Sequence, residues 1–268
     1  MQKFNRTLIC KVMLVGLSCG LTLSATADLG IVSKLVNNGI ATTQATLGHM
    51  YLTGDGISQD DVKAFEKTKE AAYRGRVFSQ YALGEMYSNG IGVRQNYAKA
   101  IEWYEKAAKQ GNAEIQYNLG TLYQNGEGIP QDYYKAVEWY RKSADQDFVL
   151  AQYNLAAMYY EGQGVSQDYA ETLEWLRKAA DQGYANAQNN IGDMYETGKG
   201  VELNDKKAAE WYLKAANQEI AAAQNSLGLM YFEGRGVEQD KVKSQEWYSK
   251  SCDNGYEPSC AEYVLLSR

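Results

Sequence analysis

The sequence predicts an all-α fold: a solenoid of helix-turn-helix repeats stacked along one axis. Two observations carry this. The five tryptophans, Trp103, Trp139, Trp175, Trp211 and Trp247, recur every 36 residues, four of them inside Glu-Trp-Tyr and the third inside Glu174-Trp175-Leu176. A fixed period of this length marks a repeat array, in which each unit touches only its neighbours. Between the tryptophans, apolar residues fall at helical spacing, and each unit is punctuated by Gly-x-Gly. The chain of 268 residues is 45 % hydrophobic and 22 % charged, with a formal net charge of −6. These are ordinary values for a folded chain, and the acidic balance argues against nucleic acid or an anionic membrane surface as partner.

The first 27 residues read as a secretory signal peptide. Lys3, Arg6 and Lys11 make a basic start, Val12 to Leu23 is apolar, and Ala25-Thr26-Ala27 offers a small-x-small cleavage site. The apolar run is short for a membrane span, so no membrane insertion is expected after cleavage. A lipid anchor at Cys19 is disfavoured by Gly16, where a branched apolar residue is wanted. Export places the mature chain in a periplasmic or secreted setting. Cys10 and Cys19 leave with the signal, and the remaining pair, Cys252 and Cys260, is expected to close as a disulfide in an oxidising compartment.

Residues 28–40 are expected to form an N-terminal capping helix, ended by Asn37-Asn38-Gly39 and covering the first full unit. Six repeats are expected over residues 41–256, with a C-terminal capping helix over 257–268. In each unit the first helix carries a Leu/Ile-Gly pair, such as Leu83-Gly84 and Ile191-Gly192, with Leu155-Ala156 in the fourth unit. A Tyr follows four residues after the Leu or Ile and shares its face. Glycine costs about 1 kcal/mol in a helix relative to Ala, so its recurrence implies close approach by a neighbouring helix. Gly-x-Gly then ends the helix, as in Gly90/Gly92 and Gly126/Gly128, because glycine tolerates positive φ. Asp60, Asp132, Asp168 and Asp240 are candidate N-caps of the second helix. That helix presents Ala100, Trp103, Tyr104, Ala107 and their equivalents as a buried stripe. Lys follows the Glu of each Glu-Trp-Tyr by four residues, an i,i+4 ion pair worth about 0.3–0.5 kcal/mol. Two departures are expected to weaken packing. The first unit has Lys67-Thr68 in place of Trp-Tyr, and Asp147 and Glu219 replace the glycine that closes the other second helices.

A unit such as Ala151-Gln152-Tyr153-Asn154-Leu155, Met158-Tyr159, Gly162-Gln163-Gly164-Val165, Asp168-Tyr169, Glu174-Trp175, Lys178-Ala179-Ala180 and Gly183 resembles the Sel-one-like repeat. That repeat is a relative of the tetratricopeptide repeat, and the resemblance covers residues 40–256. It implies an α/α superhelical solenoid used as a protein-binding scaffold, with exported bacterial members acting in the cell envelope or on a host. A cysteine-rich branch of the family joins paired helices by Cys-x7-Cys, the spacing of Cys252 and Cys260. That branch leaves open an alternative, a β-lactam-binding or hydrolysing protein; a further alternative is a binder of cell-wall glycan, since tyrosine rings stack on sugars.

The residues give catalysis little material. His49 is the only histidine, expected to be solvated or to line a groove, and neither Ser-x-x-Lys nor Lys-Thr-Gly occurs. Gly-x-Gly follows a helix rather than a strand and lacks the Gly-Lys-Ser/Thr of a phosphate loop. No catalytic residue, cofactor or metal is therefore assigned, and the expectation is a non-catalytic adaptor with a protein or peptide partner. Its candidate groove comes from the first helices, at positions two before, two after and five after the core Leu. These give Tyr81, Glu85, Tyr117, Thr121, Tyr153, Tyr160, Asn189, Asp193, Leu229 and Phe232. Tyr81, Tyr117 and Tyr153 are expected to form a ladder of amphipathic rings, the residue type enriched at binding hot spots. Lys and Arg are absent from these positions, which points to a peptide of apolar and basic character.

Overall fold

The computed structural model describes residues 29–127 and 129–266. The signal-peptide reading, Gly128 and the last two residues of the expected C-terminal helix lie outside them. The described residues hold thirteen α-helices and no strand. They divide into two compact bodies at Asp132/Tyr133. The first contains α1 Leu29–Thr53, α2 Asp61–Tyr73, α3 Val77–Asn89, α4 Tyr97–Ala108 and α5 Ala113–Asn125. The second contains α6 Tyr133–Ala144, α7 Val149–Glu161, α8 Tyr169–Asp181, α9 Ala185–Thr197, α10 Asp205–Ala216, α11 Ala221–Glu233, α12 Lys241–Asp253 and α13 Glu257–Leu266. Within each body every helix packs on the next in sequence.

The expected stop at Asn37-Asn38-Gly39 does not form: α1 runs unbroken through it. Thr42 and Thr43 donate their hydroxyls to Asn38 O and Gly39 O at 2.8 and 3.1 Å, one helical turn back. No proline follows to block continuation, so the capping segment and the first repeat helix are one element.

The turn between first and second helix uses each of its residues. Gly90, Gly162, Gly198 and Gly234 close their helices in the left-handed conformation. The second glycine has a different reason. A Cβ on Gly92 would overlap the backbone of Asp61, and one on Gly164 or Gly236 would overlap that of Tyr133 or Asp205. Each lies against the start of the second helix of the preceding unit, so only glycine permits this stacking distance. The Gln of the following Gln-Asp or Gln-Asn reaches back: Gln95 Nε2 donates to Ser88 O at 2.8 Å and Gln167 Nε2 to Tyr160 O at 2.8 Å. The next residue reaches forward. Asp60, Asn96, Asp168, Asn204 and Asp240 each accept a backbone N–H of the helix that they start. Their own amides bond the carbonyl of the Tyr in the preceding helix, as Asp168 N does to Tyr159 O at 3.0 Å. One dipeptide thus satisfies the orphan groups of two helix ends.

Packing across each hairpin accounts for the helical glycine. A Cβ on Gly84 would stand 2.6 Å from the Tyr104 ring, and one on Gly192 the same distance from Tyr212. Those tyrosines are fully buried, while the adjacent tryptophans divide. Trp103, Trp139 and Trp175 are buried, but Trp211 and Trp247 are only partly covered, so the stripe assignment holds for three rings of five. The lysine three residues on covers the ring face in each of the five units that carry a tryptophan, from Lys106 over Trp103 at 4.7 Å to Lys214 over Trp211 at 3.7 Å. Its expected partner, the Glu, is met at Glu138–Lys142 and Glu174–Lys178. Cation–π stacking of about 0.5–1 kcal/mol per pair is therefore the feature that repeats.

Both expected weak points keep their geometry. Thr68 is fully buried, and its Oγ1 stands 2.7 Å from where a Gly48 Cβ would be, so a smaller side chain seals the first hairpin. Asp147 and Glu219 adopt φ of 61° and 64°, the left-handed conformation of the glycines that they replace. The turn is retained at the cost of strain, about 1–2 kcal/mol for a residue with a Cβ. Within each body the stripes are joined by buried glutamines that periodicity did not single out. Gln188 Nε2 donates to Ala180 O at 3.3 Å and its Oε1 accepts from Gln218 at 2.8 Å; Gln80, Gln152 and Gln224 repeat the arrangement. Near the C-terminal end Cys252 and Cys260 are joined as a disulfide between α12 and α13, the pair expected from the sequence.

Candidate binding clefts

Each body opens a cleft among its first helices. In the first body a cleft of about 400 Å³ brings together Tyr81, Glu85, Tyr117 and Thr121. Tyr97 and Glu127 complete its rim. In the second a cleft of about 330 Å³ brings together Tyr153, Tyr160 and Asp193, with Glu161 and Lys199 at its edge. Asn189 adjoins it, donating to Asp193 Oδ2 at 3.2 Å. Leu229 and Phe232 lie on α11 outside both clefts, Leu229 half-buried and Phe232 38 % exposed.

The tyrosine ladder needs a correction. Tyr81 is only 3 % exposed and Glu85 7 %. Tyr104 covers both: its ring lies 5.1 Å from that of Tyr81, and its hydroxyl donates to Glu85 Oε1 at 2.7 Å. Asn89 Nδ2 donates to Glu85 Oε2 at 3.3 Å. Tyr81 and Glu85 therefore form the polar base of the cleft rather than a surface for a partner. Burial pushes the Glu85 carboxyl above its ordinary value against these hydrogen bonds. The Tyr104 and Tyr81 phenols are raised well above theirs, first by burial and then by the Glu85 charge. Tyr117 and Tyr153 stay half-exposed, as does Tyr160. Tyr153 is fixed by the Tyr184 ring at 5.0 Å and by Asn190 Nδ2, which donates to its hydroxyl at 3.3 Å.

In the second body the Tyr212 hydroxyl lies 2.7 Å from Asp193 Oδ1 and 2.6 Å from Glu196 Oε2. Burial raises the Asp193 carboxyl, and the Tyr212 phenol is raised by burial and then by Asp193. The cations that the first-helix positions lack are supplied from the Gly-x-Gly turns. Lys199 Nζ donates to the Tyr160 hydroxyl at 2.6 Å and stands 5.0 Å over its ring. Arg235 pairs with Glu196 at 2.8 Å, Glu233 at 2.6 Å and Asp205 at 3.5 Å. Sequence spacing missed both because a turn residue in one unit reaches the groove position of the unit before it. His49 is half-buried with Nε2 unpartnered, and burial lowers its imidazole. Among the described residues no group of carboxylates, histidines and cysteines has the geometry to hold a metal ion. None of their helices is long and apolar enough to cross a membrane.

The Sel1 repeat pattern matches residues 43–75, 77–112, 113–148, 149–184, 185–219 and 221–256. A protective antigen of uropathogenic Escherichia coli with an SLR fold is 36 % identical over 90 % of this chain, with a TM-score of 0.75. This chain spans 52 % of that antigen's length. A Sel1 repeat protein of Oxalobacter formigenes is 31 % identical over 83 % of this chain and 85 % of its own, with a TM-score of 0.62. No curated protein matches the chain. Repeats of this kind generally build scaffolds for protein–protein interaction. Six matched units, the helix-hairpin solenoid and these neighbours agree: the chain belongs to the Sel1 repeat family.

Proposed function

We propose that this protein is an exported, non-catalytic scaffold that binds a partner protein or peptide along the exposed face of its first helices. The observation that carries the reading is the contrast between two sets of positions. Packing positions repeat from unit to unit. The positions that line the two clefts change, and they place half-exposed tyrosines beside carboxylates. Rigid amphipathic rings bordered by polar groups are the surface chemistry that protein interfaces favour. The Cys252–Cys260 bond fits an oxidising compartment and supports export. The SLR fold of the E. coli protective antigen is consistent with a role outside the cytoplasm.

The test is capture from envelope extract on immobilised protein, beside a variant with Tyr117→Ala and Tyr160→Ala. Both tyrosines are half-exposed, so the variant keeps its helices by circular dichroism. A protein held by the wild type and lost by the variant is the expected result. Retention of nothing by either would refute the scaffold reading.

A further inference from the structure

The hairpin partnership between the first-helix glycine and the second-helix tyrosine loses both members only in the fourth unit; the first unit keeps Gly48 and sets it against Thr68. Gly84 faces Tyr104, Gly192 faces Tyr212 and Gly228 faces Tyr248, each pair twenty residues apart. The same offset in the fourth unit pairs Ala156 with Leu176. The exchange is sterically coherent: an Ala methyl is tolerated where no ring presses on it. It has a second effect. The Tyr104 and Tyr212 rings extend past the glycine, and their hydroxyls reach Glu85 and Asp193. Leu176 is branched and short, and the residue at the acceptor position is Ala157. Neither the ring end nor its acceptor is present, and the second-body cleft opens there. Ala156, Leu176 and Met194 are its buried lining. The first-body cleft, by contrast, is lined at depth by Tyr104 and Glu85 themselves.

We propose that this cleft is a pocket for one bulky apolar side chain, aromatic by preference, on a peptide segment that carries Lys or Arg beside it. This rests on the scaffold reading and specifies its partner. The shape argument comes from the chain itself: the equivalent space in neighbouring hairpins holds a phenol ring. The flanking cation is argued from charge. Glu161 is exposed in the cleft lining and makes no ion pair among the described residues, and Asp193 lines the same cleft. The one lysine at the rim is engaged with Tyr160, both by its hydrogen bond and over the ring. Complementary charge at such a rim steers the encounter and selects the partner.

Random peptides displayed on phage are selected on the purified protein, and the enriched peptides are synthesised and titrated. The decisive variant is Ala156→Gly with Leu176→Tyr, which installs the pair already used at Gly192 and Tyr212 and so fills the pocket without opening a cavity. The enriched peptides are expected to share a bulky apolar residue next to Lys or Arg. They should bind the double variant at least about 10-fold more weakly, as expected for excluding one buried side chain. Glu161→Gln should weaken binding several-fold, with loss of its salt dependence. Peptides bound equally by wild type and double variant would overturn the pocket while leaving the scaffold standing. Enriched peptides that are acidic or lack an apolar residue would also overturn it. No enrichment, together with no capture from extract, would remove both readings.

Discussion

Gly192→Ala separates close helix approach from simple helix propensity, because the two predict opposite signs. Propensity alone makes Ala better than Gly in a helix interior by about 1 kcal/mol. The structure puts the new methyl 2.6 Å from the Tyr212 ring, about 1 Å inside ordinary carbon–carbon contact. Tyr212 cannot yield freely, being fully buried with its hydroxyl held at 2.7 Å by Asp193 and 2.6 Å by Glu196. Overpacking costs about 1–3 kcal/mol, and loosening a hydrogen bond to a charged group adds about 1.5–3 kcal/mol. After subtracting propensity, a net loss of roughly 2 kcal/mol or more is expected. Urea unfolding followed by circular dichroism should show it as a lower midpoint at unchanged slope. Tyr212→Leu removes the ring and should partly rescue Gly192→Ala, because the double variant recreates the Ala156/Leu176 pair. A coupling of about 0.5–3 kcal/mol is expected between the two sites. A Gly192→Ala variant as stable as wild type, or more stable, would refute the packing argument.

Glu219→Gly should stabilise the protein by about 1 kcal/mol, since glycine adopts the φ of 64° without strain and the Glu219 side chain is exposed; thermal melting checks this. Cys252→Ser should cost about 2–3 kcal/mol by releasing a short loop, and a chain of residues 28–268 in oxidised form should show no free thiol after denaturation. Glu85 carries a pH prediction. Its carboxyl is raised in the folded state above the unfolded 4.5, so ionising it is unfavourable to folding. That share of stability is fully present below pH 4.5 and is lost as pH rises through the folded value. Glu85→Gln should flatten this part of the stability–pH curve, and an unaltered curve would show that the carboxyl is not desolvated.

Several elements were legible in the chain because they repeat. A 36-residue period in Trp, Gly-x-Gly and Leu-Gly defines helix hairpins, since each signal is local and acts through backbone conformation or helical spacing. The disulfide was expected from the reading of residues 1–27 as a signal, which sets Cys252 and Cys260 apart from Cys10 and Cys19. The groove was legible only in part. Helical spacing placed Tyr81 and Tyr153 on the same face, yet Tyr81 is buried and Tyr153 half-exposed. The difference is made by Tyr104, which covers Tyr81, and by Leu176, which lines the second-body cleft in place of a ring.

By itself, the sequence determined the family, the order of the repeat helices after Gly54 and the residues that close their turns. These depend on contacts within one unit or between adjacent ones, and the period writes them out repeatedly. Only the tertiary structure decided which face positions stay open. It also brought Lys199 to Tyr160 and Arg235 to Glu196, 39 residues away in each case, and made Gly92 and Gly236 sites of backbone contact. Those facts depend on how one hairpin lies on another, and a one-residue change in side-chain length there alters the surface without altering the fold.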